Sequence, residues 1–597
     1  MAKWVLGIDL GTTNSVLAYA PLEEEKPELR LLPVPQLVAA GTVEARSMLP
    51  SFLYLASPHE TGGGAFDLPW ASGRDVAVGE LARGKGSEVP DRTVGGAKSW
   101  LAHSRVDRHE AILPWNAPAE VPKVSPVTAS RRYLEHLIAA WDAAFPEDPA
   151  RQQAVVLTVP ASFDASAREL TRQAALAAGL PEDLVLLEEP QAAVYAWLAE
   201  TGDRWRRHLT LGDKLLVCDV GGGTTDLTLV GVAQEGGDLV LERVAVGNHL
   251  LVGGDNMDLA LAHHVAGLFA HKGVSLDPWQ SVALWHSCRA AKEALLAPGG
   301  PKKHSIAVLG RGSRLIGKTV SIEVDRQGVA DLLVDGFFPR AALADRPERR
   351  RASGFREIGL PFEADTAITR HVAAFLGSHD DGSGPARPTY VLFNGGAFKA
   401  EVLRQRLLEL LAGWFPEGEP PRPLVAAPDL DHAVARGAAY YGWSKRRGGV
   451  RIRGGTARAY YVGIETAGLA VPGAARPLRP LCVVPIGMEE GTEAAVPSEE
   501  IGLVVGEPAQ FRFFSSSVRK QDRPGDLLER VSEDDLSETD SMETMLPADE
   551  AIEEGCVPVR FHAKITELGM LELWCASTRS AGRWKLEFSV RQQGPGE

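Results

Sequence analysis

The sequence predicts a two-lobed α/β domain followed by a β-rich module, and three observations carry that expectation. Strand-length apolar runs ending at glycine-rich turns alternate with alanine-rich helical stretches through residues 1–445. One such run, with its turn, occurs twice about 200 residues apart, which suggests two related subdomains. From residue 459 onward short strand patterns take over.

The second copy of the repeat is the fuller one. Leu215-Leu216-Val217-Cys218 leads into Asp219, Val220 and three glycines, Gly221, Gly222 and Gly223, followed by Thr224, Thr225 and Asp226. Leu227 to Val230 then reads as the return strand of a hairpin. Glycine lacks a Cβ, so a phosphate can approach its backbone N–H closely. The first copy keeps the order: an apolar run from Trp4, then Asp9, Leu10, Gly11, Thr12, Thr13 and the amide Asn14. One glycine turn is explained by chain reversal alone. Two with an aspartate in the same place predict hairpins that grip a polyphosphate from both sides of a cleft. Mg²⁺ takes few carboxylates and keeps several waters, which Asp9 and Asp219 could orient.

Gly7 to Ser15 and Asp219 to Asp226 resemble the two phosphate motifs of the heat-shock protein 70 (DnaK-type) chaperones, members of the actin and sugar-kinase ATPase superfamily. The resemblance implies an actin-like ATPase domain over residues 1–445 and slow hydrolysis of ATP with Mg²⁺. Lys98, in Gly95 to Leu101, reads by itself as a helix lysine; by resemblance it reaches the γ-phosphate and the attacking water. Pro190 fits the first turn of a helix and so places Glu189 near its N-cap, where a carboxylate complements the helix dipole. The family reading makes Glu189 the carboxylate that positions water and magnesium. Gln191 stands where that family usually has threonine. Thr158 to Phe163 is similar to the segment whose proline is implicated in interdomain signalling, although Pro160 equally reads as a strand terminator.

Further along, Gly253 and Gly254 resemble the turn that opens the next helix, and Gly395 and Gly396 the adenosine motif. Asp431 lies in the stretch Asp429 to Ala439, which matches the helix closing the domain. Departures gather at the adenine end. Arg289, Lys292, Glu293 and Leu296 stand where the family's clamp offers Glu, Lys, Arg and Ser, and Ala397 and Lys399 replace a Ser and an Arg. The implied catalytic set is thus Lys98, Glu189, Asp219, Thr224 and Asp226, with Asp9 and Asp219 for magnesium. The implied nucleotide contacts add Gly11, Thr12, Thr13, Asn14, Gly221 to Gly223, Gly253, Gly254, Lys292, Gly395, Gly396 and Asp431.

Two patterns carry no chemistry. Gly312 to Thr319 satisfies the P-loop expression, but Val320 to Val324 alternates with period two and predicts a strand where a P-loop needs a helix. His263, His264 and His271 lie on one helical stretch with no partner to complete a metal site. A length of 597 residues leaves room for about three or four domains. The net charge of −15 argues against a polyanion partner, so no nucleic acid is expected. Five scattered cysteines without a C-x-x-C pair suit reduced thiols. Neither a signal peptide nor a run of roughly 18 apolar residues is evident, so a cytoplasmic protein without a membrane partner is expected.

Residues 446–458 form a basic, glycine-rich boundary in place of the family's aliphatic linker. Gly463 to Gly468, Val484 to Ile486 and Leu568 to Leu573 resemble parts of the family's substrate-binding β-domain. A β-sandwich-like module is expected over 459–597, with an acidic loop at about 521–555 and no helical lid. The function implied is that of an ATP-dependent chaperone, with an extended polypeptide client and co-chaperones as partners. A nucleotide-binding scaffold with little turnover and a sugar-kinase-like phosphotransferase are the alternatives.

Overall fold

The computed structural model describes residues 2–586 except 104, 105, 116, 236, 309–319, 349–359, 361, 380–383, 425–428, 449, 451, 454, 457, 467–476, 490, 532–534, 540, 541, 548–555 and 567–570. Two sheets of like topology make the first part of the chain. In one, the order runs Val185–Glu188, Ala154–Val159, Trp4–Leu10, Asn14–Pro21, Arg30–Leu31. In the other it runs Arg422–Pro423, Tyr390–Asn394, Lys214–Val220, Thr225–Glu235, Asp238–Val246, Ile452–Arg453. Each glycine turn joins an antiparallel pair, with Asp9 opposite Val16 and Asp219 opposite Asp226. The first strand of each hairpin has a parallel neighbour on its other side, Ala154–Val159 or Tyr390–Asn394. The repeat in sequence is therefore a repeat of topology. Strands covered on both faces are apolar throughout rather than alternating, and Leu215 to Cys218 are fully buried.

Helices fill the flanks as their periodicity predicts. Tyr133, Leu137, Ala140 and Trp141, spaced three to four residues apart, lie on the buried face of the helix Pro126–Ala144, capped by Ser125, whose Oγ accepts the Thr128 N–H at 3.0 Å. The alanine-rich stretch becomes Ala165–Ala177, with Gly179 beyond it at φ +97°. Glu189–Thr201 and Ala433–Arg447 cross between the two sheets. Gly437 lies so close to the Ala192 carbonyl that a Cβ there would overlap it, and Gly7 meets Ala435 and Ala439 in the same way. Small residues let these backbones touch, which draws the two lobes together behind the cleft.

Val320–Asp325 is a strand paired antiparallel with Lys303–Val308, as a hairpin requires; the P-loop-like residues 312–319 fall outside the described residues. The C-terminal module stacks two sheets. Leu478–Val484, Ala459–Glu465, Phe513–Ser516 and Ser537–Glu538 form one, and Cys556–Ile565 with Leu571–Ser577 and Arg583–Leu586 the heart of the other. Val462, Leu481 and Phe513 from the first share a core with Val559, Phe561 and Leu573 from the second.

Part of the acidic segment is built into this module. Leu527 bridges to Leu481, Met542–Met545 pairs with Pro508–Phe511, and Arg512 grips Glu538 through two bonds of 2.6 Å. Leu528, Val531 and Leu536 cover Tyr461, Cys482 and Phe514. Their irregular spacing follows a strap rather than a helix or strand, so it leaves no period to read. The basic boundary also gains structure: Ile452 is buried, pairs beside Leu241, and donates its N–H to Tyr195 Oη at 2.8 Å.

Candidate functional site

The two hairpins face each other. Thr13 leaves no room for a side chain on Gly222, and Thr12 and Ser99 crowd Gly223, so bare glycines at these two positions let the turns meet. Between the lobes opens a cavity of about 340 Å³. Its walls include Asp9, Gly11, Thr12, Thr13 and Asn14 from one lobe, and Asp219, Gly221, Gly222 and Thr224 from the other. Lys98, Glu189, Gly254, Lys292, Gly395, Gly396 and Asp431 line it as well, whereas Gly223 and Asp226 lie outside the lining. Gly253 sits directly behind, against the carbonyls of Gly221 and Gly222.

The aspartates are held by the same device in each lobe. Thr158 Oγ1, on the parallel neighbour strand, donates to Asp9 Oδ1 at 3.1 Å. Asn394 Nδ2, on the corresponding strand of the other lobe, donates to Asp219 Oδ2 at 2.7 Å. Glu189 opens its helix, with Pro190 in the first turn, and forms a buried ion pair with Lys98. Asp226 is held from behind by the hydroxyl of Ser162.

Four carboxylates therefore crowd one ammonium in a largely buried setting. Burial, then the Glu189 charge, raises Asp9 to about 7; the same two causes raise Asp219 to about 8. Burial likewise raises Glu189 and Asp226 above the usual carboxylate range. Burial pulls the Lys98 amine down, but Glu189 and Asp9 outweigh it and hold the amine above its ordinary value. A site with this surplus of negative charge fits a hydrated divalent cation and a polyphosphate between glycine-lined turns. Among the described residues no three His, Cys, Asp or Glu side chains converge to ligate an ion directly.

The other end of the cavity differs in character. Arg289 pairs with Asp255, donates from Nε to Asp258 Oδ2 at 2.8 Å, and lies over the Trp285 ring at 5.4 Å. Lys292 Nζ bridges Asp258 Oδ1 at 2.7 Å and the Gly254 carbonyl at 3.1 Å. Lys399 Nζ pairs with Asp431 at 2.6 Å. Leu296, Leu333, Ala397 and Leu403 add aliphatic surface to the lining, beside Glu293. Sequence reasoning missed Asn394 and Ser162 as supports for the aspartates. Asn394 ends a strand directly before Gly395, a position that could have drawn notice; Ser162 reaches Asp226 only through tertiary structure.

Two lobes of one topology with paired phosphate-type turns across a cleft define an actin-like nucleotide-binding fold. The family model described as Hsp70 protein matches residues 74–338. The chain is similar to the "Chaperone protein HscA homolog" of Pseudomonas putida, 32% identical over 306 residues, covering 49% of this chain and 42% of that one. It is 29% identical over 358 residues to the homolog of Burkholderia lata, covering 58% and 50%. With "Chaperone protein HscA" of Enterobacter sp. it shares 29% over 275 residues, covering 44% and 38%. Over these stretches the chain is similar to the Hsp70 family. It spans about half the length of the curated relatives it matches. No helix among the described residues is long and apolar enough to cross a membrane.

Proposed function

We propose that this protein hydrolyses Mg-ATP slowly and couples the hydrolysis to binding of an extended polypeptide by its C-terminal module. The observation that carries the reading is the buried Lys98–Glu189 pair set among Asp9, Asp219 and Asp226, directly between two facing glycine hairpins. Phosphoryl transfer to water demands positioning and charge stabilisation more than covalent chemistry. The backbone N–H groups around Gly11 to Thr13 and Gly221 to Gly223 would cradle the phosphates. Asp9 and Asp219 would hold magnesium through water, and the ion would neutralise charge building on the β- and γ-oxygens. Lys98 would bind the γ-phosphate, while Glu189, Thr224 and Asp226 order the attacking water. Cytoplasmic residence, client and co-chaperones belong to the same proposal, and the relatives' printed names support its chaperone part alone.

The buried Ile452 strand joins the linker to the edge of the second lobe's sheet, and Ser517 of the module meets Asn248 of that lobe at 3.2 Å. Lobe rotation on hydrolysis would therefore reach the module directly. The test is single-turnover hydrolysis with and without an apolar extended peptide, in wild type and Glu189→Ala. Slow turnover, quickened by peptide and lost in the variant, is expected. Tight ATP binding with neither turnover nor a response to peptide would instead make the chain a nucleotide-dependent scaffold.

A further inference from the structure

The loop after Ala154–Val159 carries Ser162 into the seam between the lobes. Its hydroxyl bonds Asp226 Oδ1 on one side and lies 2.6 Å from His249 Nδ1 on the other. His249 belongs to the opposite lobe, in the connection between Asp238–Val246 and the helix Gly254–His271. Phe163 packs edge-on against its ring at 5.7 Å. Its Nε2 is shielded from solvent and has no hydrogen-bond partner among the described residues.

Counting protons settles the direction of this chain. A serine hydroxyl has one hydrogen, and an ionised carboxylate only accepts, so Ser162 donates to Asp226. The Ser162 oxygen must then accept from His249, whose proton sits on Nδ1 while Nε2 is bare. Burial, with Arg458 adding repulsion, pushes His249 down to about 4, so the ring is neutral as this bookkeeping requires.

We propose that Ser162 and His249 are positioning residues for ATP hydrolysis: His249 Nδ1–H orients the Ser162 hydroxyl, which locks the Asp226 carboxylate beside Lys98 and Glu189. The inference rests on the hydrolytic reading above. Neither residue touches the nucleotide cavity, so their loss should slow the chemical step without weakening binding. A hydrogen bond to a charged group that orders the reacting water corresponds to a loss of roughly 10- to 100-fold in rate. The same connection meets the C-terminal module, since Asn248 contacts Ser517, so the lock lies where the module touches the ATPase lobes.

The test uses the full chain with Ser162→Ala, Ser162→Thr, His249→Phe and His249→Asn. Single-turnover hydrolysis and ATP Kd are measured for each, with thermal melting as the control for folding. Ser162→Ala and His249→Phe are expected to slow hydrolysis about 10- to 100-fold with Kd within about threefold. Ser162→Thr restores the hydroxyl and His249→Asn places an amide N–H where Nδ1 was, so both should recover most of the rate. Wild-type rates in Ser162→Ala and His249→Phe, or an Asn variant as slow as Phe, would overturn the inference. Should His249→Phe fail to fold, Ser162→Ala, which removes a single oxygen, decides alone. ATP binding without turnover in the wild type would defeat the hydrolytic reading itself and this inference with it, a result distinguishable before any variant is made.

Discussion

Replacing Lys98 by methionine removes one positive charge and little volume from the most crowded point of the cleft. The Lys98 and Glu189 side chains are only 8% and 12% exposed. Breaking a buried pair by deleting one partner costs about 3–5 kcal/mol when the survivor stays charged. Here part of that cost is avoidable, because Asp9 and Asp219 already titrate at about 7 and about 8. Carboxylates with raised folded-state values favour folding at low pH and lose that advantage as pH rises through them. Without Lys98 these groups rise further, so the loss should be about 3 kcal/mol near pH 8 and shrink toward pH 6. Hydrolysis should fall at least about 100-fold, or about 2.7 kcal/mol of barrier. Urea unfolding of the nucleotide-free chain at several pH values and single-turnover kinetics read the two effects separately. Adding Glu189→Gln removes the stranded charge and should return most of the stability but none of the rate. The reasoning fails if Lys98→Met hydrolyses within about threefold of wild type, or if the double variant is no more stable than the single.

Two further predictions test the frame around the site. Gly437→Ala drives a methyl group into the Ala192 carbonyl; separating the helices should cost about 1–3 kcal/mol in urea unfolding and weaken ATP binding measurably, because Glu189 opens one of them. His136 is buried neutral, pushed down to about 4 chiefly by burial, with Nε2 at 2.9 Å from the Pro35 carbonyl. The unfolded chain binds more protons than the folded one between about 6.5 and 4, so unfolding free energy should rise with pH in that window by up to about 1.4 kcal/mol per unit for this group, and His136→Gln should flatten that slope in a pH series of melting curves.

Much of the site could be read without coordinates, because its chemistry is local. A bare glycine turn, an aspartate at a strand end and a proline opening a helix each act within a few residues of themselves. Asp9, Asp219, Gly221 to Gly223 and Glu189 were therefore visible as short patterns. The two-fold plan was visible too, since a repeated hairpin makes a repeated sheet. Less legible were groups that act across the chain. Thr158, Asn394 and Ser162 hold the aspartates from neighbouring strands and loops, and no spacing in the sequence announces a partner 60 to 175 residues away.

The sequence by itself determined which backbones could approach a phosphate and which strands would be buried, since a missing Cβ and an apolar run act whatever the surroundings. Only the tertiary structure decided the charge state of the cleft. Asp9, Glu189, Asp219, Asp226 and Lys98 are ordinary ionisable residues in isolation, and their perturbed protonation arises from being buried together. The same holds for Leu528, Val531 and Leu536, which lie in an acidic, aperiodic stretch and find apolar contact only once Tyr461 and Phe514 present a face to cover; of the three Leu536 is buried and the other two pack against the core. Desolvation and packing are properties of an assembled neighbourhood, and that neighbourhood exists only when the chain has folded.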